Sequence, residues 1–350
     1  MRRVAQGMAK RAARVAAAVA IAAMSATGAS ALAADVRFAV ISHAPDADPF
    51  WNVVKNGIAD AQKDFGVTVD YRNPPNGDLS DMVRLLEQAA ARNYDGVATT
   101  IADFDVIQSR VKTIVSKGIP VITFNSGTAQ QNAALGGLLH VGQPEYEAGK
   151  EAGMRARAAG IKTFLCVNNN MTNPESFERC RGFAEAIGAN AKQSMLDSGN
   201  DPTEVENKVF AALRQRPGTQ AVLALGPTSA VPAMRAISKL GLSNKIYFAT
   251  FDLTPEVDKG IEAGTVAFAI DQQPYLQGYI PVALLAILKQ DKTRDIHKAV
   301  AALRANVQFQ RRIEVYGLSP RFTPDGVDTG PGFVTRGNVA LVEKFAGQYR

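Results

Sequence analysis

Apolar and polar positions follow two alternating rhythms along this chain. Short unbroken apolar runs, rich in Val, Ile and Phe, are separated by longer stretches with apolar residues every three or four positions. The short run predicts a strand buried on both faces, and the longer rhythm predicts an amphipathic helix. "VRFAVIS" (36–42) is the first such strand, followed by helix "FWNVVKNGIADAQKDFG", which Gly66 is placed to end. Strand "VTVDYRN", helix "LSDMVRLLEQAAARNY", strand "DGVATT", helix "DFDVIQSRVKTIVSKG" and strand "IPVITFNS" come next. The pattern then restarts. Strands "GLLHVGQ" (137–143), "KTFLCVNN", "QAVLALG", "IYFATFD" and "VAFAIDQQP", with a further one near "QSMLDSG", alternate with helices, the last being "LQGYIPVALLAILKQ".

Strands separated by helices of this length form βα units and parallel sheets. Two stacks follow one another at about 36–140 and 141–271, without a Ser/Gly linker. The expected fold is therefore α/β, with two similar doubly wound parallel-sheet domains packed side by side. The segment 290–325 departs from the rhythm. It is basic, and "DIHKAVAALRANV" has helical spacing, which predicts one surface helix with His297 facing solvent. A docking face for a partner is the sharper reading of the same residues.

Charge alters the picture only at the N-terminus. Residues 1–34 hold Arg2, Arg3, Lys10, Arg11 and Arg14, a short apolar run at 15–24, and Ala31-Leu32-Ala33. This is the pattern of a secretory signal peptide, with cleavage expected after Ala33. The apolar run is too short to span a bilayer. The leader takes five of 39 basic residues and none of 33 acidic ones, leaving 34 against 33. No basic surplus remains to point to nucleic acid. An exported chain meets oxidising conditions, so Cys166 and Cys180 are either a bridge from a strand to the next helix or two buried thiols. With three His in the chain and none near the cysteines, no metal site is expected. His43 and His140 read as structural.

Ligands of open α/β sheets bind beyond the carboxyl ends of the strands. Those positions here hold Phe50 and Trp51, then Asn125 and Ser126, then Asn168, Asn169, Asn170, Asn173, Glu175 and Arg179, then Asp252, Asp271 and Gln272. The set lacks a nucleophile with a catalytic His, and it lacks a phosphate loop. It suits a sugar. Planar amides, carboxylates and Arg bracket hydroxyl groups, and the apolar face of a sugar ring packs on aromatic rings.

From "FAVIS" to "YLQGYIPV" the chain resembles the type I periplasmic solute-binding proteins of bacterial sugar ABC importers. "DPFW", "DGV", "GIPVITFNS", "LLHVGQ…EAGK", "ERCRGF", "AVLALG", "TFDLTPE" and "AIDQQPYLQG" carry the resemblance, in that order. It implies two lobes joined by three hinge crossings, near 142–144, 272–274 and 328–331. One lobe would be 35–141 plus about 274–327, and the other 142–273 plus about 328–350, behind a signal peptide at 1–33. The implied function is a monomeric periplasmic binder, not an enzyme and without a cofactor. It would close on a monosaccharide or small polyol and deliver it to a membrane permease. Phe50 and Trp51 match the aromatic pair that sandwiches the sugar, and Asp48 a polar contact before it. Asn125, Arg179, Asp252 and Gln272 match polar ligands of the sugar. Asn173 and Glu175 resemble the polar pair before the arginine in the galactose/glucose branch.

Departures from the family pattern leave the sugar open. Ser126 stands for an arginine of the ribose binders, Gly226 for an amide and Asn200 for an aromatic. A calcium loop with alternating acidic residues is not visible. Two other classes fit less of the chain. A sugar-responsive transcription regulator needs an N-terminal helix-turn-helix, and a Rossmann enzyme needs G-x-G-x-x-G after its first strand. A receptor or sensor kinase in place of the permease would leave the same sequence.

Overall fold

The computed structural model describes residues 36–171, 173–291 and 295–350. The expected leader and its cleavage after Ala33 lie outside the described residues. The first stack runs β1 (Arg37–Ile41), α1 (Phe50–Phe65), β2 (Thr68–Arg72), α2 (Leu79–Ala91), β3 (Gly96–Thr99), α3 (Phe104–Ser116), β4 (Val121–Phe124), α4 (Ala129–Leu135) and β5 (His140–Gly142). The second runs α5 (Glu145–Ala158), β6 (Phe164–Asn168), α6 (Pro174–Ile187), α7 (Ala191–Ser194), β7 (Met195–Asp197), α8 (Pro202–Gln215), β8 (Ala221–Ala224), α9 (Pro227–Lys239), β9 (Tyr247–Phe251), α10 (Pro255–Ala263) and β10 (Phe268–Asp271). The chain ends with α11 (Pro274–Asp291), α12 (Ile296–Ala305), α13 (Val307–Tyr316), β11 (Arg321–Phe322), β12 (Gly326–Asp328), β13 (Gly332–Val334) and α14 (Val339–Val342).

The strands form two sheets, ordered β11-β12-β5-β4-β3-β1-β2 and β13-β10-β9-β8-β6-β7. Five parallel strands in each follow the same order, with the first strand between the second and the third. Phe38 of β1 pairs with Val69 on one side and Gly96 on the other. Winding reverses at that first strand, which opens a crevice at the carboxyl end of each sheet. Among the described residues only β11 and β13, each at one edge of its sheet, pair antiparallel. Because β11 and β12 belong to the first sheet and β13 to the second, the chain passes between sheets three times: after β5, after β10 and after β12.

Burial on both faces explains the unbroken apolar runs. Along β6, Leu165 and Val167 enter one core cluster, while Phe164 and Cys166 enter the other, as the period of two requires. Cys166 is disulfide-bonded to Cys180 of α6, with Cα atoms 6.1 Å apart. Among the described residues no helix is long and apolar enough to cross a membrane.

Two helix pairs come unusually close, and glycines permit it. A methyl group on Gly57 of α1 would collide with the Tyr275 carbonyl of α11, and one on Gly278 with the Val54 carbonyl. On α5, a methyl on Gly149 would strike the Arg179 carbonyl of α6. This second contact fixes the distance between the start of α5 and the Arg179 side chain.

The basic segment differs from its expectation as a single surface helix. Asn306 divides it into α12 and α13, ending one and capping the other through a bond from the Phe309 amide at 2.9 Å. Leu303 and Phe309 are fully buried, and Arg312 pairs with Asp60 and Asp64 of α1 at 2.8 and 3.0 Å. His297 is exposed, as expected.

Gly57→Ala is predicted to lower the unfolding free energy by about 1–3 kcal/mol, because the Tyr275 backbone must move. Gly218→Ala, where a methyl meets nothing, should stay within about 0.5 kcal/mol. Denaturant midpoints at equal slope check the pair.

Candidate functional site

The carboxyl ends of both sheets face one cleft with ≈ 490 Å³ of space free of atoms, part of it open to solvent. The loop after β1 supplies the first wall. Asp48 precedes α1 and accepts from the Phe50 amide at 3.1 Å, which starts the helix with both rings at the cleft. Trp51 is 4% exposed and is met edge-on by His43, Phe50 and Phe124 at centroid distances of 5.3, 5.3 and 6.2 Å. The rings are thus braced by one another as well as presented to the cleft.

Asn125 follows β4 and Asp252 follows β9, both with left-handed backbone at φ 61° and 65°. Gln273, at 51°, is the third such non-glycine among the described residues. Non-glycine residues hold this region only under surrounding constraint, and all three sit at the cleft or beside it. Asn125 donates to Gln277 at 2.8 Å and accepts from Ser126 at 3.1 Å. Asp252 accepts from Gln272 through Oδ2 at 2.9 Å, and its Oδ1 is buried without a partner.

Arg179 is the cation of the cleft. Nε and Nη2 grip Glu145 at 2.7 and 2.6 Å, Nη1 donates to the Leu225 carbonyl at 2.8 Å, and Nη2 also reaches Gln272 at 3.4 Å. The guanidinium lies 4.3 Å from the Phe251 ring centroid. Asn173 caps α6 by accepting from the Glu175 amide and reaches Ser126 of the first sheet's side at 3.4 Å.

Burial controls the carboxyl groups. It pushes Asp48 up to about 6, against the hydrogen bonds from Phe50 and Trp51 and the charge of Arg179. It holds Asp252 well above the usual carboxylate range, against the pull of Arg179. His43 is pushed down to about 4 by burial and is neutral at pH 7, with Nδ1 3.0 Å from the Thr100 hydroxyl.

Eight of the nine expected positions line this cleft: Asp48, Phe50, Trp51, Asn125, Asn173, Arg179, Asp252 and Gln272. Glu175 does not. It lines a neighbouring groove, where its carboxylate accepts from the Gly127 amide at 3.0 Å. Asn173, the helix cap two residues earlier, lines the cleft instead. His43, expected to be structural, lines the cleft, whereas His140 lies in β5 on the groove side. Asn169, Asn170, Ser176 and residues 225–228, from the end of β8 to the start of α9, also line it. Glu145, buried behind Arg179, had no signal in the sequence beyond its place at a helix start.

The profile of the periplasmic binding protein domain matches residues 38–293. The chain is 27% identical over 254 residues to the ribose import binding protein of Haemophilus influenzae, covering 70% of this chain and 83% of that one. It is 23% identical over 238 residues to the D-allose-binding periplasmic protein of Escherichia coli K12, covering 65% and 76%. Among solved structures, a carbohydrate transporter protein from Acidothermus cellulolyticus in complex with myo-inositol superposes with TM-score 0.75 at 31% identity, covering 89% and 98%.

Glu175 joins the two sides of the cleft through Gly127, and burial with the charge of Glu145 pushes it up to about 7. A carboxyl raised by such a contact favours the contact when protonated, and loses that contribution as pH rises through 7. If Glu175 has an ordinary value when the lobes part, ligand affinity should be about tenfold tighter at pH 6 than at pH 8 through this group. Glu175→Gln keeps the acceptor and should remove that part of the pH dependence. Calorimetric titration at both pH values, on both proteins, checks it.

Proposed function

The chain belongs to the periplasmic binding protein family, and from that premise we propose that it is the substrate-binding component of an ABC importer for a monosaccharide or small polyol. Exported to the periplasm behind its leader, it works as a monomer and hands its ligand to a membrane permease. The observation that carries this reading is the convergence of two rings, amides, carboxylates and one guanidinium on a single cleft between the two sheets. Relatives named for ribose and allose, and a solved relative holding myo-inositol, support the ligand class.

In this reading the ligand lies against Phe50 and Trp51 with the apolar face of its ring. Asp48 and the free Oδ1 of Asp252 accept hydroxyl protons, and Arg179 and Asn173 donate. Asn125 and Gln272 position the loop ends and link the ligand to the hinge. The lobes are 35–141 with about 274–327, and 142–273 with about 328–350, and they turn about the three crossings. Ligand binds both lobes, so it shifts an open population toward the closed form. No step of catalysis is involved.

A thermal-shift screen of pentoses, hexoses and polyols should give hits that raise the melting temperature by mass action. Trp51→Ala should weaken a hit at least 100-fold. Because Trp51 is buried, its own unfolding cost of about 3–5 kcal/mol is measured separately without ligand. Asp252→Asn, nearly the same shape, should weaken the same hit with little change in stability. Unchanged affinity in both variants would remove the cleft from the binding role.

A further inference from the structure

Arg179 is the one cation among the described residues that line the cleft. A guanidinium binds a carboxylate or phosphate best through two parallel N–H bonds. Here that edge is taken: Nε and Nη2 are both committed to Glu145, and Nη2 also faces Gln272. Of the two Nη1 hydrogens, one goes to the Leu225 carbonyl. What remains for a ligand is a single N–H, enough for a hydroxyl and too little for a bidentate anion.

The charges agree with the geometry. Glu145 offsets Arg179, and no second cation among the described residues lines the cleft. Glu145 is itself held in place: its side chain is 4% exposed, it begins α5, and Gln143 donates to its Oε2 at 2.8 Å. It does not line the cleft, so it acts on a ligand only through Arg179.

We infer that Glu145 is a positioning residue that sets the charge class of the ligand: it spends the anion-binding edge of Arg179, so the cleft takes neutral polyhydroxylated molecules and rejects their carboxylate and phosphate counterparts. The inference rests on the proposed binding function and adds the determinant of its specificity.

The test is calorimetric titration with matched pairs: D-glucose and D-glucuronate, D-galactose and D-galacturonate, D-arabinose and D-arabinonate, myo-inositol and myo-inositol 1-phosphate. For the pair whose neutral member binds, the anion should bind at least 100-fold more weakly to the native protein. Glu145→Gln should narrow that gap at least tenfold, and Glu145→Asp, which keeps the charge, should preserve it. A purely structural role would weaken both members of a pair equally. An anion that binds the native protein as well as its neutral partner overturns the inference and leaves the polyol reading standing, even if Glu145→Gln fails to fold. An unchanged gap in a folded Glu145→Gln protein overturns it too. Binding of no member of any pair overturns both.

Discussion

One buried cation ties this structure together. The Arg179 side chain is 11% exposed, and a guanidinium so far from water must have its donors answered by the protein. Its partners come from three places: Glu145 just after the first crossing, the Leu225 carbonyl at the end of β8, and Gln272 at the second crossing. The arginine therefore sets the relation between α5, α6 and the hinge before any ligand arrives. That in turn demands the close α5–α6 contact, which Gly149 and Gly182 allow by letting backbone meet backbone. Arg179 and its glycines form one device.

Glutamines continue the linkage through the hinge. An amide both donates and accepts, so it can join two groups of the same kind without introducing charge. Gln277 accepts from Asn125 in the cleft wall and donates toward Gln272 and toward the Thr329 hydroxyl on the third crossing, at 3.3 and 3.1 Å. Gln273 donates to the Thr329 carbonyl and accepts from the Ser319 amide at 2.6 Å. The chain end joins in. Arg350 pairs with Asp271 at 2.6 Å and bonds the carbonyls of Tyr316 and Gly317, while Tyr349 stacks on Tyr316 at 4.2 Å. The second and third crossings are thus held by polar groups that a rotation of the lobes would have to stretch or exchange.

The central parallel strands were legible because they are buried on both faces, so composition alone marks them, whereas the edge strands β2 and β7 are only partly buried. Helices with one apolar face were legible for the related reason of period. What the pattern hid was structure stabilised by caps and contacts. Helix α4 is seven residues long and depends on a capping box between Thr128 and Gln131. The break at Asn306 is a single side chain serving two helices. Strand-end position was enough to point to Trp51, Asn125, Arg179 and Asp252, since topology alone puts such residues at the cleft, whereas Asp48 came only from the family resemblance. It could not give side-chain direction. Glu175 lies two residues past a cap and turns to Gly127, while His43, assigned to packing, reaches the cleft beside Trp51. Glu145 was hidden because its role is defined by its partner and not by its place in a motif.

The polar wall of the cleft holds a buried carboxyl oxygen, Asp252 Oδ1, that no group of the protein answers, and this has a physical consequence. Asp48 and Asp252 both resist ionisation because burial strips them of water. An unpaired buried acceptor costs on the order of 1–3 kcal/mol, so the cleft carries a penalty when no donor is supplied, and in the proposed hinge motion that penalty falls on the closed form. A hydroxyl-rich ligand supplies donors without adding charge. The same groups that make empty closure costly make occupied closure favourable. Apolar replacements would close as readily when empty, and the cleft would lose the difference between its two states on which a binder of this kind depends.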